Sequence, residues 1–388
     1  RILDYYLTPE QQELQEMVRD FVAQEITPIS AEMDITGTFP MEVYKKAADM
    51  GLTCLDLPAE WGGAGVDLFT TALIREELSY GDAGFSSTCG TNGLGFKPVN
   101  FAGSDELKRM YADVCVGGGF LAFGCTEANA GSDVANNKTT AVKKRDKYIL
   151  NGRKAFITNA PIADIISVLA ITDPEAGSKG FSMFCVPKGT PGLSIGKHEN
   201  KMGIRSSITS DVILENCEIP EKYLIGSEGM GFRLVMETLD KGRVNSGASA
   251  LGVARCALDH SVRYAQQRVT MGKPIWKHQM IQAKLADMAM RLEASRQLVW
   301  RAAAAFDAGA SESAKLASMA KCFAGDMAVY VTGEALQIHG GYGPAHREAL
   351  PRRKNFPDIR RRKRNTAHDH RKESYRRKQN LNESRINT

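Results

Sequence analysis

From residue 120 to residue 225 the apolar side chains stop recurring every three or four positions. They fall instead in short runs rich in β-branched and aromatic residues, among them YILNG, FSMFCVP and DVILENCEIP, set off by Gly, Pro, Asn and Asp. On both sides the helical spacing returns. A 3.6-residue repeat buries one face of a helix and short β-rich runs bury faces of a sheet, so the chain reads as helices, a small β-domain, then helices again. Thr8 and Pro9 hold N-cap and first-turn positions ahead of a helix reaching residue 25, with Leu14, Val18, Phe21 and Val22 at helical spacing. Helices are predicted over 41–50 and 69–79, parted by the loop DLPAEWGGAGVD. After the β-domain, patterns over 230–248, 251–267, 279–308 and 311–338 predict a bundle; the third keeps Ile281, Leu285, Met288 and Leu292 at three-to-four spacing.

Charge and cysteine usage exclude several classes. The net charge of +5 over 388 residues is misleading, because the segment from Pro344 onward holds 11 Arg and 4 Lys against 5 acids. The body is left at −5, so nucleic-acid binding is not expected of it. No apolar run is long enough to span a membrane, and RILDYYLTPEQQ lacks the order of a signal peptide. The eight cysteines stand without a CxxC pair or histidines at ligand spacing; they read as reduced thiols, and no metal centre is expected. A dinucleotide site of the parallel βαβ kind is not expected either, since GSEGMG at 226–231 follows a Pro-Glu-Lys loop.

The chemistry-bearing stretch is FGCTEANAGSD, residues 123–133. Small residues (Gly124, Ala128, Ala130, Gly131) stand there beside the hydroxyls of Thr126 and Ser132, so backbone can approach a ligand while side chains offer donors. NGRKAFITN follows at 151–159 on a predicted strand. Together they resemble the flavin-binding signature of the acyl-CoA dehydrogenase family, TExxAGSD followed by NGxKxxITN. The resemblance continues through KMGIRSSITS (201–210, family MGxRxSxT), RVTMGKPIWKHQ (268–279, family RxxFGKxxxxxQ, with Met271 in place of Phe) and EALQIHGGYG (334–343, family AxQxxGGxG). It spans residues 7–343.

That resemblance implies an architecture, a cofactor and roles. The fold implied is mainly α with a central β-domain: an N-terminal helical domain (1–119), a β-barrel-like middle domain (120–226) and a C-terminal four-helix bundle (227–343). The cofactor implied is FAD. Phe156 packs along the isoalloxazine, Thr126 and Thr158 hydrogen-bond its edge, and Phe123, Cys125 and Ser132 supply further contacts, Ser132 towards the CoA arm. Asp240 and Arg243 of LDKGRVNSG match positions that reach CoA, although an Asp and an Arg three apart on a helix also make an ordinary surface pair. Arg268 and Gln279 are offered to the pyrophosphate and adenine side of FAD, where the planar fork of Arg suits a diphosphate. Gln337, Gly340 and Gly341 approach the flavin nucleotide from another subunit, which implies a homo-oligomer, a dimer of dimers. Pro58–Gly65 matches the family's PxxxGGxG loop near the acyl pocket. TNGLGFKPV (91–99) reads as pocket lining or as a plain helix start, with Leu94, Phe96 and the helix after Leu239 lining the pocket. His278 and His339 lack acidic or serine partners in a recognisable pattern and are read as rim or packing residues.

The reaction implied is α,β-dehydrogenation of an acyl-CoA thioester to the trans-2-enoyl-CoA, with electrons passed to electron-transfer flavoprotein, in the bacterial cytoplasm or the mitochondrial matrix. It needs a base for the α-proton. The family carries that glutamate in a YEGTxEIQ-like motif after the last bundle helix or, in some members, at the position of Gly242; neither is present. Residues 344–388 form an arginine-rich tail without apolar period. Read one nucleotide later, within codon degeneracy, 350–354 give YRDAK, 356–366 give FQIFEGGNEIQ and the following codons RMIIAR. The tail is therefore read as a shifted reading frame, with the glutamate codon lying across Arg360 and Arg361. The spacing from Gly343 is a few residues short, so a small deletion accompanies the shift. Two alternatives stand: an acyl-CoA oxidase, and an acyl-CoA-binding flavoprotein that lacks catalysis and carries a basic arm. Peptide mass mapping of the C-terminus decides the frame. Fragments containing IFEG and NEIQ are the expected outcome, and the written arginine-rich peptides would overturn it.

Overall fold

The computed structural model describes residues 7–342. The basic tail, with its frame-shift reading, lies outside the described residues. The Thr8 hydroxyl accepts from the Gln11 amide while the Gln11 side chain accepts from the Thr8 amide, and this reciprocal cap starts α1, Pro9–Phe21. The predicted run to residue 25 continues as a π-helical turn, Val22–Ile26. There follow α2 (Ser30–Thr36), α3 (Met41–Asp49), α4 (Leu68–Gly81), α5 (Ala83–Ala102) and α6 (Asp105–Val116). Asp67, Asp82 and Ser104 cap the last three through side-chain oxygens.

Residues 91–99 lie inside α5, because Asp82 caps that helix well upstream. Its glycines serve close approach. A Cβ at Gly95 would stand 2.7 Å from Leu121 Cβ, and one at Gly93 would stand 2.6 Å from an Asp56 carboxylate oxygen. Phe96 is buried in the core between α5, α6 and the sheet rather than lining a pocket, while Leu94 is half-buried and faces Gly242.

The β-domain comprises β1 (Leu121–Gly124), β2 (Thr140–Lys144), β3 (Lys147–Thr158), β4 (Ile165–Ile171), β5 (Phe181–Pro187), β6 (Leu193–His198), β7 (Thr209–Pro220) and β8 (Leu224–Ile225). They form one sheet in the order β6-β7-β3-β2-β4-β5-β8, with β1 added parallel to β4. A single bridge, Thr140 to Ile171, joins β2 to β4, and the end strands β6 and β8 are not paired with each other among the described residues. The Gly226–Gly231 segment does join a strand to a helix, but β8 runs antiparallel to β5, and no parallel βαβ unit results.

The third region departs from the sequence reading in one respect. The helices expected over 230–248 and 251–267 are a single helix, α7 (Gly231–Gln267), of 37 residues. The small residues between them reflect packing, not a break: a Cβ at Gly247 would stand 2.9 Å from Val299 Cγ2, and one at Gly252 would stand 2.1 Å from the Glu76 carbonyl oxygen. The short hairpin β9 (Val269–Thr270) and β10 (Lys273–Pro274) leads to α8 (Gln279–Asp307) and α9 (Ser313–His339). The four expected helical spans are therefore three helices among the described residues, with α4 packed against α7 and α8. No helix among the described residues is long and apolar enough to cross a membrane.

A buried charge network fixes α7 in this packing. Glu76 and Glu77 of α4 meet Arg255 of α7, whose Nη1 lies 2.9 Å from Glu77 and 3.2 Å from Glu76. Arg296 of α8 reaches Glu76 at 2.9 Å and Arg19 of α1 reaches Glu77 at 3.0 Å. Burial pushes the Glu77 carboxyl up, but Arg255 and Arg19 outweigh it and hold the group below its ordinary value. A depressed folded value gives stability that is present above the unfolded carboxylate value, about 4.3, and is lost as pH falls through the folded one. Glu77→Gln, which leaves Arg255 short of a buried counter-charge, is expected to cost about 3–5 kcal/mol at pH 7. The difference from the unaltered chain, read by thermal unfolding, shrinks as the pH is taken below about 4.

Candidate active site

β1 delivers the chain to the 124–133 turn, and the far end of β3 comes back alongside it. Two contacts join them. The Ala155 amide donates to the Thr126 carbonyl at 2.8 Å, and the Lys154 ammonium lies 2.8 Å from Glu127 Oε1 and 2.6 Å from Asn137 Oδ1. Glu127 also accepts from the Thr139 amide (3.0 Å), the Thr139 hydroxyl (2.6 Å) and the Lys138 amide (2.8 Å). Burial pushes the Glu127 carboxyl up, yet Lys154 and these donors hold it below the ordinary carboxylate range.

Past Lys154 the pairing of β3 with β7 slips: Lys154 faces Val212, and the next pair is Ile157 with Ser210. At the bulge Phe156 takes φ +59, and the residue is 56% exposed. A large aromatic in the left-handed region, open to solvent, gains neither good backbone geometry nor burial; strain of this kind gathers at ligand clamps. Thr158, two residues on, and Thr126, brought alongside by the Ala155 bond, are half-buried. Asn159, also left-handed at φ +66, donates to the carbonyls of Thr88 (3.1 Å) and Leu121 (3.2 Å) and so anchors the strand end to α5 and β1. Cys125 is buried, its thiol pushed up to about 11 by burial, so that position can offer a ligand only backbone. Phe123 is half-buried against the α5–α6 core, and Ser132 is exposed at the turn. Asp240 and Arg243 are half-buried on α7 and hydrogen-bond each other.

The remaining predicted residues gather elsewhere. Arg268 ends α7 and lies 5.7 Å from the centre of the Tyr342 ring, while Gln279 opens α8 and Gln337, Gly340 and Gly341 lie at the end of α9, all of them exposed. His339 is buried there, stacked on Tyr264 at 4.4 Å, and His278 sits on the rim near Thr270, as the sequence implied. At about 1.5 Å per residue, Arg243 and Arg268 stand about 37 Å apart along α7.

Comparison with known proteins resolves what this arrangement belongs to. Three family models cover the chain in succession: acyl-CoA dehydrogenase N-terminal domain at residues 8–118, middle domain at 122–217 and C-terminal domain at 229–356. The chain belongs to the acyl-CoA dehydrogenase family. An acyl-CoA dehydrogenase of Bacillus subtilis is 44% identical over 340 residues, covering 87% of this chain and 89% of the relative. The structure of butyryl-CoA dehydrogenase from Megasphaera elsdenii superimposes with a TM-score of 0.85 at 38% identity, covering 93% of each chain. A chain in the solved structure of the electron transferring flavoprotein of Acidaminococcus fermentans does so with a TM-score of 0.87 at 41% identity, covering 92% of this chain and 94% of that one.

Members of the acyl-CoA dehydrogenase family are FAD-dependent oxidoreductases acting on CH–CH bonds, and this chain is one by membership. Its own residues fit the cofactor. Gly131 and Gly341 have φ values outside the left-handed region, and a Cβ on either would meet nothing within 4 Å. Packing among the described residues does not require glycine there, and the open space leaves room for a ligand against the backbone. Phe156 offers an exposed ring to a flat tricycle, and Asn159 Oδ1 and Ser210 Oγ, beside Thr158 and opposite Ile157, are buried without a partner. Sequence reasoning passed over Glu127, Lys154 and Asn159, although all three are fixed letters of the two flavin motifs. Phe156→Gly should relieve the backbone strain and raise the stability of the apoprotein by about 1 kcal/mol while weakening FAD binding. Thermal unfolding and FAD titration of the two apoproteins check both signs.

Proposed function

We propose that this site performs the α,β-dehydrogenation of an acyl-CoA thioester to the trans-2-enoyl-CoA and passes the electrons to electron-transfer flavoprotein. The observation that carries the reading is the strained, solvent-facing Phe156 beside Thr158 and Thr126 on two strand ends locked together. FAD, when bound, supplies the acceptor for the β-hydride. Phe156 then packs along its ring, Thr126 and Thr158 hydrogen-bond the edge, and Ser132, Asp240 and Arg243 take the CoA arm. The span along α7 supports an assembly: the residues proposed for the CoA arm and those proposed for the far side of FAD stand about 37 Å apart along one helix, and Arg268, Gln279, Gln337, Gly340 and Gly341 then serve the flavin of another subunit. A homotetramer, typical of the family, provides that arrangement. A bacterial cytoplasm or mitochondrial matrix is the compartment proposed.

The α-proton goes to a glutamate, which the proposed reading frame restores after α9. A carboxylate under the acyl chain is desolvated, which raises its proton affinity, while hydrogen bonds to the thioester carbonyl make the α-proton more acidic. The arginine-rich tail as written offers no such glutamate, and this favours a second reading: a flavoprotein that binds acyl-CoA without turning it over. Slow bleaching of the flavin band by an acyl-CoA under anaerobic conditions is the result expected of the written chain; bleaching at normal family rates would overturn it, and rapid peroxide formation in air would favour an oxidase. Gly242 supplies the rescue. A Cβ there meets Leu94 Cδ2 at 3.3 Å, a tight approach that a small shift of the flexible Leu94 side chain relieves. Gly242→Glu in the written chain is expected to restore bleaching by about 100-fold, the contribution of a positioned base.

A further inference from the structure

Lys154 is the one fully buried ammonium among the described residues, with 0% of its side chain exposed, and no step of the reaction above uses it. Its neighbours explain its place. Glu127 follows Thr126 directly in the chain, and Lys154 precedes Phe156 by two residues and Thr158 by four. Between Lys154 and Ile157 the β3–β7 ladder is interrupted. What holds the bulged backbone is the Ala155–Thr126 bond, a 3.3 Å bond from the Phe156 amide to Asp211, and the Lys154–Glu127 pair. Glu127 is fixed in turn by Thr139 and Lys138 and by paired 3.1 Å backbone bonds with Ala130, which close the tight turn ahead of Gly131 and Ser132.

We propose that Glu127 and Lys154 are positioning residues, a buried ion pair that sets the Thr126 turn and the Phe156–Thr158 strand end at the spacing one flavin ring needs. The inference rests on the flavin reading above. Neither side chain need touch FAD. A charge left alone at this depth has no solvent to relax into, so the loop that carries it must move, and the flavin-facing residues move with it.

FAD titration of the apoprotein tests this with Glu127→Gln, Lys154→Met and the double variant. Glu77→Gln serves as a control that lowers stability through the charge network between the helices and alters neither member of the pair. Each single variant is expected to weaken FAD binding about tenfold or more and to alter the visible band of the flavin still bound. The double variant, which strands neither charge, is expected to bind FAD better than either single, a coupling that independent effects cannot give. The control should lower the melting temperature with FAD affinity unchanged. Should the single variants fail to fold, Thr139→Val removes one hydrogen bond and leaves the charges paired, with a loss of about threefold expected. FAD affinities of the folded variants within about twofold of the unaltered chain, or losses that simply multiply in the double variant, would overturn the inference. Failure of the unaltered chain itself to take up FAD would overturn the flavin reading first, so the two failures are told apart.

Discussion

An ammonium shut away from water persists only where an opposite charge and hydrogen-bond acceptors reach it, and Lys154 has Glu127 and Asn137. That requirement draws two segments far apart in the chain into contact. It places a turn of small residues against the end of a bulged strand, where hydroxyls and an aromatic ring face outward. The rest of the β-domain works as its scaffold: β7 carries the far side of β3, β1 leads the turn in from α6, and Asn159 ties the strand end to α5 and β1.

A second set of buried charges does the corresponding work among the helices. Glu76 and Glu77 on α4 bind arginines from α1, α7 and α8, so the long helix that carries Asp240 and Arg243 is held against the N-terminal helices as well as its own bundle. Glycines in α5 and α7 let these helices approach closely, down to van der Waals contact with a carbonyl or a carboxylate. The length of α7 then separates one chain's functional residues into two groups.

Much of this was legible in the sequence. The change of period near residue 120 announced three regions, and the motifs FGCTEANAGSD and NGRKAFITN marked the two strand ends that the structure brings together. What was misread has a physical pattern. The helix was divided between 248 and 251, where the sequence does not distinguish a break from small residues required by neighbouring helices, and only the approach of α4 and α8 tells them apart. Phe96 was placed in a pocket because the spacing on α5 does not reveal which face meets the sheet.

The sequence by itself determined the class of the fold and the family, and it singled out the residues proposed for flavin and CoA, because these depend on local periodicity and on short ordered motifs. The tertiary structure alone brought the two flavin motifs into contact. It also gave Lys154 and Glu127 a purpose, since a lysine in a strand is an ordinary solvated residue until burial and a partner 27 positions away make it otherwise. Contacts of that separation follow from how the strands pair, and that is not written in any local stretch of the chain.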